Sequence, residues 1–197
     1  MSPLAKLILA HAKFLPEGGL LSPKEFLHLG SRAAIDQTLT RLSREGQILR
    51  IARGLYALPI QGKYGERPPS IESIVSAFAK NGEIIVANGA QEANSLGLTS
   101  QVPTREIYLS SGPTRVLHLG KRAVEIKHAA YWQLILGNEP SGMAIRALSW
   151  LGPEQASLGI VKLKKKLSKA QWSKLNANRK LMPSWMAQLI AEASRLA

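Results

Sequence analysis

The segment from Ser31 to Gly46 places the strongest constraint on how this chain can fold. Ser31 is a favoured N-cap residue and Gly46 is a favoured residue just beyond a helix end, so together they enclose a predicted helix. At about 100° per residue, one side of this helix is mostly apolar and has to pack against other elements. That side consists of Ile35, Thr38, Leu39 and Leu42.

The opposite side of the same predicted helix is small, polar and basic. It consists of Ala33, Gln37, Thr40, Arg41 and Arg44. A helix with such a face fits the major groove of DNA, which is about 12 Å wide. Gln37 is suited to an adenine edge, and Arg41 or Arg44 to guanine or phosphate. Ser31 and Arg32, at the positive end of the helix, are predicted phosphate contacts.

The flanking segments predict two further short helices and a hairpin. Residues 3–14 have helical spacing of apolar side chains, and Ser22 precedes a second helix over residues 23–29. After the third helix, two β-prone runs flank Arg53 and Gly54, which are typical of a hairpin turn. This order predicts a winged helix-turn-helix DNA-binding domain over residues 1–59. Arg50 and Arg53 would then lie on the wing, beside the DNA backbone or minor groove; a module that contacts protein is the alternative.

Charge favours a polyanionic partner. The chain has 26 Lys and Arg against 13 Asp and Glu, a formal net charge of +13. Such an excess repels itself in the folded state, and nucleic acid relieves the repulsion. An acidic membrane would also relieve it, but the winged helix-turn-helix pattern makes double-stranded DNA the predicted partner. The chain has no Cys and only one Asp, Asp36, so we expect no disulfides, no metal site and no cofactor.

A single break divides the chain at residues 60–69. This stretch contains two glycines and two adjacent prolines, which interrupt helices and central strands. We predict a linker here and a second domain over residues 70–197. Its pattern of short strands followed by helices predicts a small sheet covered by helices. The whole chain is therefore predicted to be α+β.

Several motifs resemble AbiEi-type antitoxins of the type IV, abortive-infection toxin–antitoxin systems. The first half carries RL-x-x-x-G-x-I at 41–48 and RG-x-Y-x-x-P at 53–59. Similar segments follow at 108–115 (YLSSGPTR), 126–129 (IKHA), 147–152 (ALSWLG) and 182–186 (MPSWM). The resemblance thus covers most of the chain, although its second half is less diagnostic.

The resemblance implies a function for each domain. In that family the winged helix represses transcription of its own operon by binding promoter inverted repeats. The C-terminal domain is the antitoxin. It opposes a toxin that resembles a nucleotidyltransferase, without a stable complex between them. For this chain the resemblance implies a cytoplasmic autorepressor and antitoxin, either monomeric in solution or dimeric on DNA.

A second basic surface is predicted near the C-terminus. A helix over residues 153–167 places apolar residues on one side and lysines on the other. The lysine face consists of Lys162, Lys165, Lys166 and Lys169. Lysines supply point charge rather than base reading, so we expect this face to contact phosphate backbone or to form the antitoxin surface.

Catalysis is not expected, but two other functions stay open. Glu125-Ile126-Lys127 resembles the Glu-x-Lys of a Mg²⁺-dependent nuclease, which needs a further carboxylate such as Glu83 or Glu106. No Asp follows Asp36 to supply it. A protein that binds the toxin directly is the other alternative. No apolar run is long enough to cross a membrane, so we expect no membrane partner and a soluble protein.

Overall fold

The computed structural model describes residues 1–63 and 65–195 and contains two compact units. Unit 1 comprises Met1–Glu83 and Arg115–Glu125, and unit 2 comprises Ile84–Thr114 and Ile126–Ala197. Both contain helices and short strands, which confirms the predicted α+β class. Tyr64 of the predicted linker and Leu196, the predicted end of the last helix, lie outside the described residues.

Unit 1 begins with three helical segments and a small sheet. In chain order its elements are α1 (Pro3–Lys13), β1 (Leu20–Leu21), a 3-10 turn (Pro23–Phe26), α2 (Arg32–Arg44), β2 (Leu49–Ala52), β3 (Leu55–Ala57), β4 (Ile60–Gly62), β5 (Gly65–Arg67) and α3 (Ile71–Lys80). The second predicted helix is thus a short 3-10 turn. Its N-terminus has a capping box, formed by Ser22 and Glu25.

The core of unit 1 lies where α1, α2 and the sheet meet. Its buried side chains include Ile8, Leu21, Phe26, Ile35 and Leu39. α1 starts at Pro3 because the Ser2 hydroxyl accepts a hydrogen bond from the backbone N–H of Ala5, and α2 is capped by Ser31 in the same way. The two helices therefore begin where the capping residues predict.

The sheet beside this core has three antiparallel strands in the order β1-β3-β2. β2 and β3 form the predicted hairpin, with Leu49 opposite Ala57 and a bulge between Arg50 and Ala52. Gly54 occupies the turn at φ +69°, where a side chain would be strained. The two-residue strand β1 was not predicted, because so short a run carries no periodic signal.

The predicted linker differs from the structure. Residues 60–62 and 65–67 form the antiparallel pair β4–β5, with Ile60 opposite Arg67 and Gly62 opposite Gly65. Gly65, at φ +108°, permits the tight reversal between the two strands. The prolines that follow end β5. The division between units therefore does not coincide with residues 60–69.

Close packing places α3 in unit 1 rather than in the predicted second domain. A side chain at Gly18 would put its Cβ 2.6 Å from the Cβ of Ser73 on α3. Gly18 also has φ +76°, which favours glycine. Unit 1 further includes β8 (Arg115–Leu119) and the start of β9 (Arg122–His128). The predicted boundary missed these contributions because they join chain segments that are distant in sequence.

Unit 2 combines short strands with most of the helices. Its elements are β6 (Ile85–Ala87), α4 (Gly89–Ser95), β7 (Ile107–Ser110), the end of β9, α5 (Tyr131–Leu134), α6 (Pro140–Lys166), α7 (Lys169–Ala177) and α8 (Ser184–Arg195). β6 pairs antiparallel with β7, with Ile85 opposite Ser110. Buried residues of α6, α7 and α8 form the main core of unit 2.

α6 is interrupted where the sequence predicts two separate helices. Gly152 has φ 71° and ψ 171°, outside the helical region, and Pro153 follows it. Leu148 on one side of this kink and Ile160 on the other both belong to the buried core. The break therefore redirects α6 while both parts keep an apolar face toward the interior.

α4 and α6 approach so closely that only glycine fits at their contact. A Cβ on Gly89 would lie 2.6 Å from the Cβ of Trp150, and the carbonyl oxygen of Arg146 would be closer still. Arg146 itself is fully buried, and its guanidinium donates to the Glu92 carboxylate at 2.8 Å. The contact between α4 and α6 therefore combines tight backbone packing with a buried ion pair.

Gly89→Ala is expected to destabilise unit 2 by about 1–3 kcal/mol, because the new methyl group overlaps backbone atoms that cannot rotate away. All four tryptophans, at 132, 150, 172 and 185, lie in unit 2, so the tryptophan fluorescence midpoint in urea reports that unit. Ser95→Ala, at the exposed end of α4, is the matched control and should leave the midpoint unchanged. Equal midpoints for both variants would contradict the proximity of the two helices.

None of the helices in residues 1–63 and 65–195 has both the length and the hydrophobicity required to span a lipid bilayer.

Candidate nucleic-acid interface

α2 of unit 1 has the two faces that the sequence predicts. Its buried residues are the predicted set: Ile35, Thr38, Leu39 and Leu42. The predicted contact residues of α2 are exposed, apart from Thr40, which is half-buried; those exposed are Ala33, Gln37, Arg41 and Arg44. Because the apolar side is held in the core, the helix presents its polar, basic side to solvent.

The N-terminus of α2 is held in a regular geometry. The Ser31 hydroxyl accepts the backbone N–H of Ala34 at 3.3 Å. One turn along the helix, the guanidinium of Arg32 donates to the Asp36 carboxylate at 2.8 Å. Both side chains of this pair are about half exposed, so the pair is weak and a phosphate can compete for Arg32.

The central polar side chains of α2 differ in whether they already have a hydrogen-bond partner within the protein. The side chains of Gln37 and Arg44 form no hydrogen bond or ion pair with any residue that the structure describes. The Thr40 hydroxyl instead donates to the carbonyl of Asp36 at 2.7 Å, within its own helix. Gln37 and Arg44 are therefore available to an incoming ligand, whereas Thr40 offers mainly its methyl group and an acceptor oxygen.

Arg41 makes a contact that the sequence did not indicate. Its guanidinium donates to the Ser2 hydroxyl at 3.0 Å and lies 3.8 Å from the Glu45 carboxylate. An open groove of about 420 Å³ lies beside this contact and is also lined by Gln37 and Leu4. The N-terminus of α1 thus lies next to the exposed face of α2. No local sequence signal linked the N-terminus of α1 to Arg41.

The β2–β3 hairpin carries the two predicted wing arginines. Arg50 and Arg53 are both exposed, and neither has a side-chain partner among the described parts of the chain. Together with Arg32, Arg41 and Arg44, unit 1 therefore exposes five arginines between residues 31 and 53, against two acidic residues, Asp36 and Glu45. This surface can bind an anion of extended shape.

The four predicted lysines of unit 2 are exposed but do not lie on one helix. α6 ends at Lys166, the backbone at Leu167 is extended, and Ser168 caps α7 through a capping box with Gln171. Lys169 is therefore the first residue of α7. Of the four predicted lysines, those at 162, 165 and 166 lie on α6. The prediction followed the helical period past Leu167, where α6 has already ended and α7 begins.

The structure gives the nuclease alternative no assembled metal site. Glu83, one of the carboxylates that it requires, forms a 2.6 Å ion pair with Arg115, and both side chains are 15% exposed. Within residues 1–63 and 65–195, no three His, Cys, Asp or Glu side chains come together closely enough to hold a metal ion. A carboxylate already neutralised by arginine is a poor ligand for Mg²⁺.

Comparison with known proteins places the chain in a family without assigning an activity. No curated protein and no solved structure matches the chain significantly. A family model does match, over residues 7–175, which include α2 and the β2–β3 hairpin of unit 1 as well as α6 of unit 2. The chain therefore belongs to DUF6088, a family of unknown function.

Proposed function

We propose that this protein is a DNA-binding antitoxin that represses its own operon. In this proposal, α1, the 3-10 turn and α2 form a helix-turn-helix, and β2–β3 is its wing. The observation that carries the proposal is the division of α2 into a buried apolar face and an exposed face with Gln37, Arg41 and Arg44. An α-helix with side chains is about 10–12 Å across, which matches a major groove about 12 Å wide.

The exposed side chains divide into two proposed roles. Gln37 and Arg41 read base edges, since amide and guanidinium groups form paired hydrogen bonds with adenine and guanine respectively. Arg44, Ser31 and Arg32 contact phosphates, and Arg50 and Arg53 contact the neighbouring backbone or minor groove. Arg41 must leave Ser2 and Glu45 to reach a base. This exchange costs little because the Arg41–Glu45 pair is solvent-exposed.

The antitoxin role rests on the motif resemblance, and the autorepressor role rests on both the resemblance and the α2 surface. Two copies of the chain would bind promoter inverted repeats, with half-sites about one helical turn apart or a multiple of it. The toxin would be a nucleotidyltransferase-like protein encoded beside this chain. Co-expression with that neighbouring gene product tests the antitoxin role: growth should recover with this protein and should not recover without it.

Sequence preference tests the role of α2. We expect Gln37→Ala and Arg41→Ala each to reduce discrimination between promoter and scrambled duplex by about 1–3 kcal/mol, because each removes a base contact. Arg53→Ala should weaken both duplexes equally, since a wing contact to the backbone carries no sequence information. Fluorescence anisotropy with labelled duplexes measures both quantities.

Lys80→Ala, at the exposed end of α3, is the matched control and should leave binding to both duplexes nearly unchanged. If Arg41→Ala weakened promoter and scrambled DNA to the same extent, α2 would not be the reading element. If none of the α2 variants changed binding to either duplex, unit 1 would not be the DNA-binding surface.

A further inference from the structure

The exposed side of the second half of α6 mixes aliphatic residues with lysines. Leu158 is 75% exposed and Val161 is 56% exposed. Lys162, Lys165 and Lys166 follow them on the exposed surface of the same helix. A helix face that serves only to remain solvated would carry polar residues at positions 158 and 161 as well. The lysines therefore share this surface with exposed aliphatic side chains, which the predicted phosphate-binding role does not explain.

Two shallow grooves lie on either side of Val161, which lines both. One has a volume of about 420 Å³ and is lined by Leu98, Leu151, Leu158 and Lys162 among others. The other has a volume of about 350 Å³ and is lined by Ile160, Leu189 and Ala193 together with three charged residues, Lys164, Lys165 and Glu192. Val161 is thus a ridge between two apolar grooves, and each groove has a lysine on its border.

The charge and shape of the two grooves together indicate which class of ligand fits this α6 surface. Phosphates can pair with the lysines but cannot cover aliphatic side chains, and neither groove is lined by an aromatic residue on which a base could stack. A second copy of this patch would place lysines against lysines, which is repulsive. A lipid surface needs a broad apolar face, whereas the other side of α6 is committed to the core of unit 2.

We propose that this α6 surface binds an acidic amphipathic helix of a partner protein. Apolar side chains of that helix, spaced at i, i+3 or i+4 and i+7, would enter the grooves on both sides of Val161. Carboxylates on its flanks would pair with the lysines at 162, 165 and 166 and relieve the repulsion between Lys162 and Lys166, which are four residues apart on one helix. This surface lies in unit 2, so the proposal does not depend on DNA binding by unit 1.

The test uses a labelled synthetic peptide of about 18 residues, long enough to form a helix, with leucines at the stated spacing and glutamates on either side. Binding to the full chain is measured by fluorescence anisotropy. We expect Val161→Ser to lower the affinity about tenfold, since a buried valine contributes roughly that much. Lys165→Glu should lower it to a similar or greater extent. Peptides with serine for leucine, or glutamine for glutamate, should bind more weakly to the native chain.

Two variants of unit 2 are matched controls. Val102→Ser also removes an exposed valine, 76% exposed, and Lys180→Glu changes the net charge by the same amount as Lys165→Glu. Both should bind the peptide as the native chain does. Circular dichroism and tryptophan fluorescence confirm that each variant is folded, and all of these positions are exposed, so folding should be retained.

Three outcomes would overturn the proposal. One is the absence of saturable peptide binding to the native chain. The second is an equal loss for Lys165→Glu and Lys180→Glu, which would indicate general attraction between opposite charges. The third is displacement of the peptide by duplex DNA or phosphatidylserine vesicles, if that displacement is unchanged by Val161→Ser but lost with Lys165→Glu. This result would assign the surface to a polyanion. Arg41→Ala should alter DNA binding alone, so failure here and failure of the DNA-binding proposal are distinguishable.

Discussion

Affinity for the promoter duplex is expected to fall about 10³- to 10⁵-fold when salt rises from 50 to 200 mM, provided that two bound copies together neutralise about six to ten phosphates. The five exposed arginines between Arg32 and Arg53 supply enough charge for three to five phosphate contacts from each copy. Each contact releases condensed counterions, and this release becomes less favourable as bulk salt increases. The slope of log affinity against log salt measures the number of contacts.

A single substitution should change this slope by a defined amount. Arg44→Gln removes one proposed phosphate contact from each of two copies, so the slope should become shallower by about 2. Lys80→Gln removes a positive charge from α3 rather than from the proposed interface and should leave the slope unchanged. A slope near zero for the native chain, or equal slopes for both variants, would contradict phosphate binding by α2.

The second large effect concerns stability. Glu92→Ala is expected to lower the free energy of unfolding of unit 2 by about 3–5 kcal/mol, because it leaves a buried arginine without its counter-ion. Arg146 is 0% exposed. Its guanidinium also donates to the backbone carbonyls of Gly137, at 2.9 Å, and Gln133, at 3.3 Å. The Nε atom has no hydrogen-bond partner in the described structure, so no spare acceptor can replace the carboxylate.

Urea unfolding followed by tryptophan fluorescence measures this loss, since all four tryptophans lie in unit 2. Glu139→Ala is the matched control: its carboxylate pairs with Lys174 at 2.7 Å, but both side chains are about half exposed. Such a surface pair contributes at most about 1 kcal/mol. The double variant Glu92→Met with Arg146→Leu should recover much of the stability, because it removes both buried charges. A loss for Glu92→Ala as small as that for Glu139→Ala would show that Arg146 is not buried.

Helix ends and helix faces in unit 1 were predictable because their causes are local. Ser31 caps α2 through the N–H of a residue three positions away, and the alternation of Ile35, Leu39 and Leu42 with polar residues repeats with the helical period. Gly54 likewise marked the hairpin turn. These signals located the candidate interface and the exposure of its arginines.

Local sequence signals failed where the residues that meet are far apart along the chain. They also failed where two local rules predict different structures for the same residues. Lys169 was grouped by periodicity with the lysines of the helix predicted over residues 153–167, but Ser168 caps a separate helix that begins at Lys169. Residues 60–62 and 65–67 pair as strands because the reversal at Gly65 brings them together, whereas their glycines and prolines by composition favour a linker. In both places a hydrogen bond sets the observed structure, and amino-acid composition does not specify which groups form that bond.

By itself, the sequence determined the α+β class, the buried side of α2 and the excess of positive charge, since each follows from residues within a few positions or from composition. Tertiary structure alone decided which distant groups meet: Arg41 with Ser2, Arg146 with Glu92, and Gly18 with Ser73. The reason is physical. Such contacts depend on closing long segments of chain around a shared core, and that free energy belongs to the whole fold rather than to any short segment.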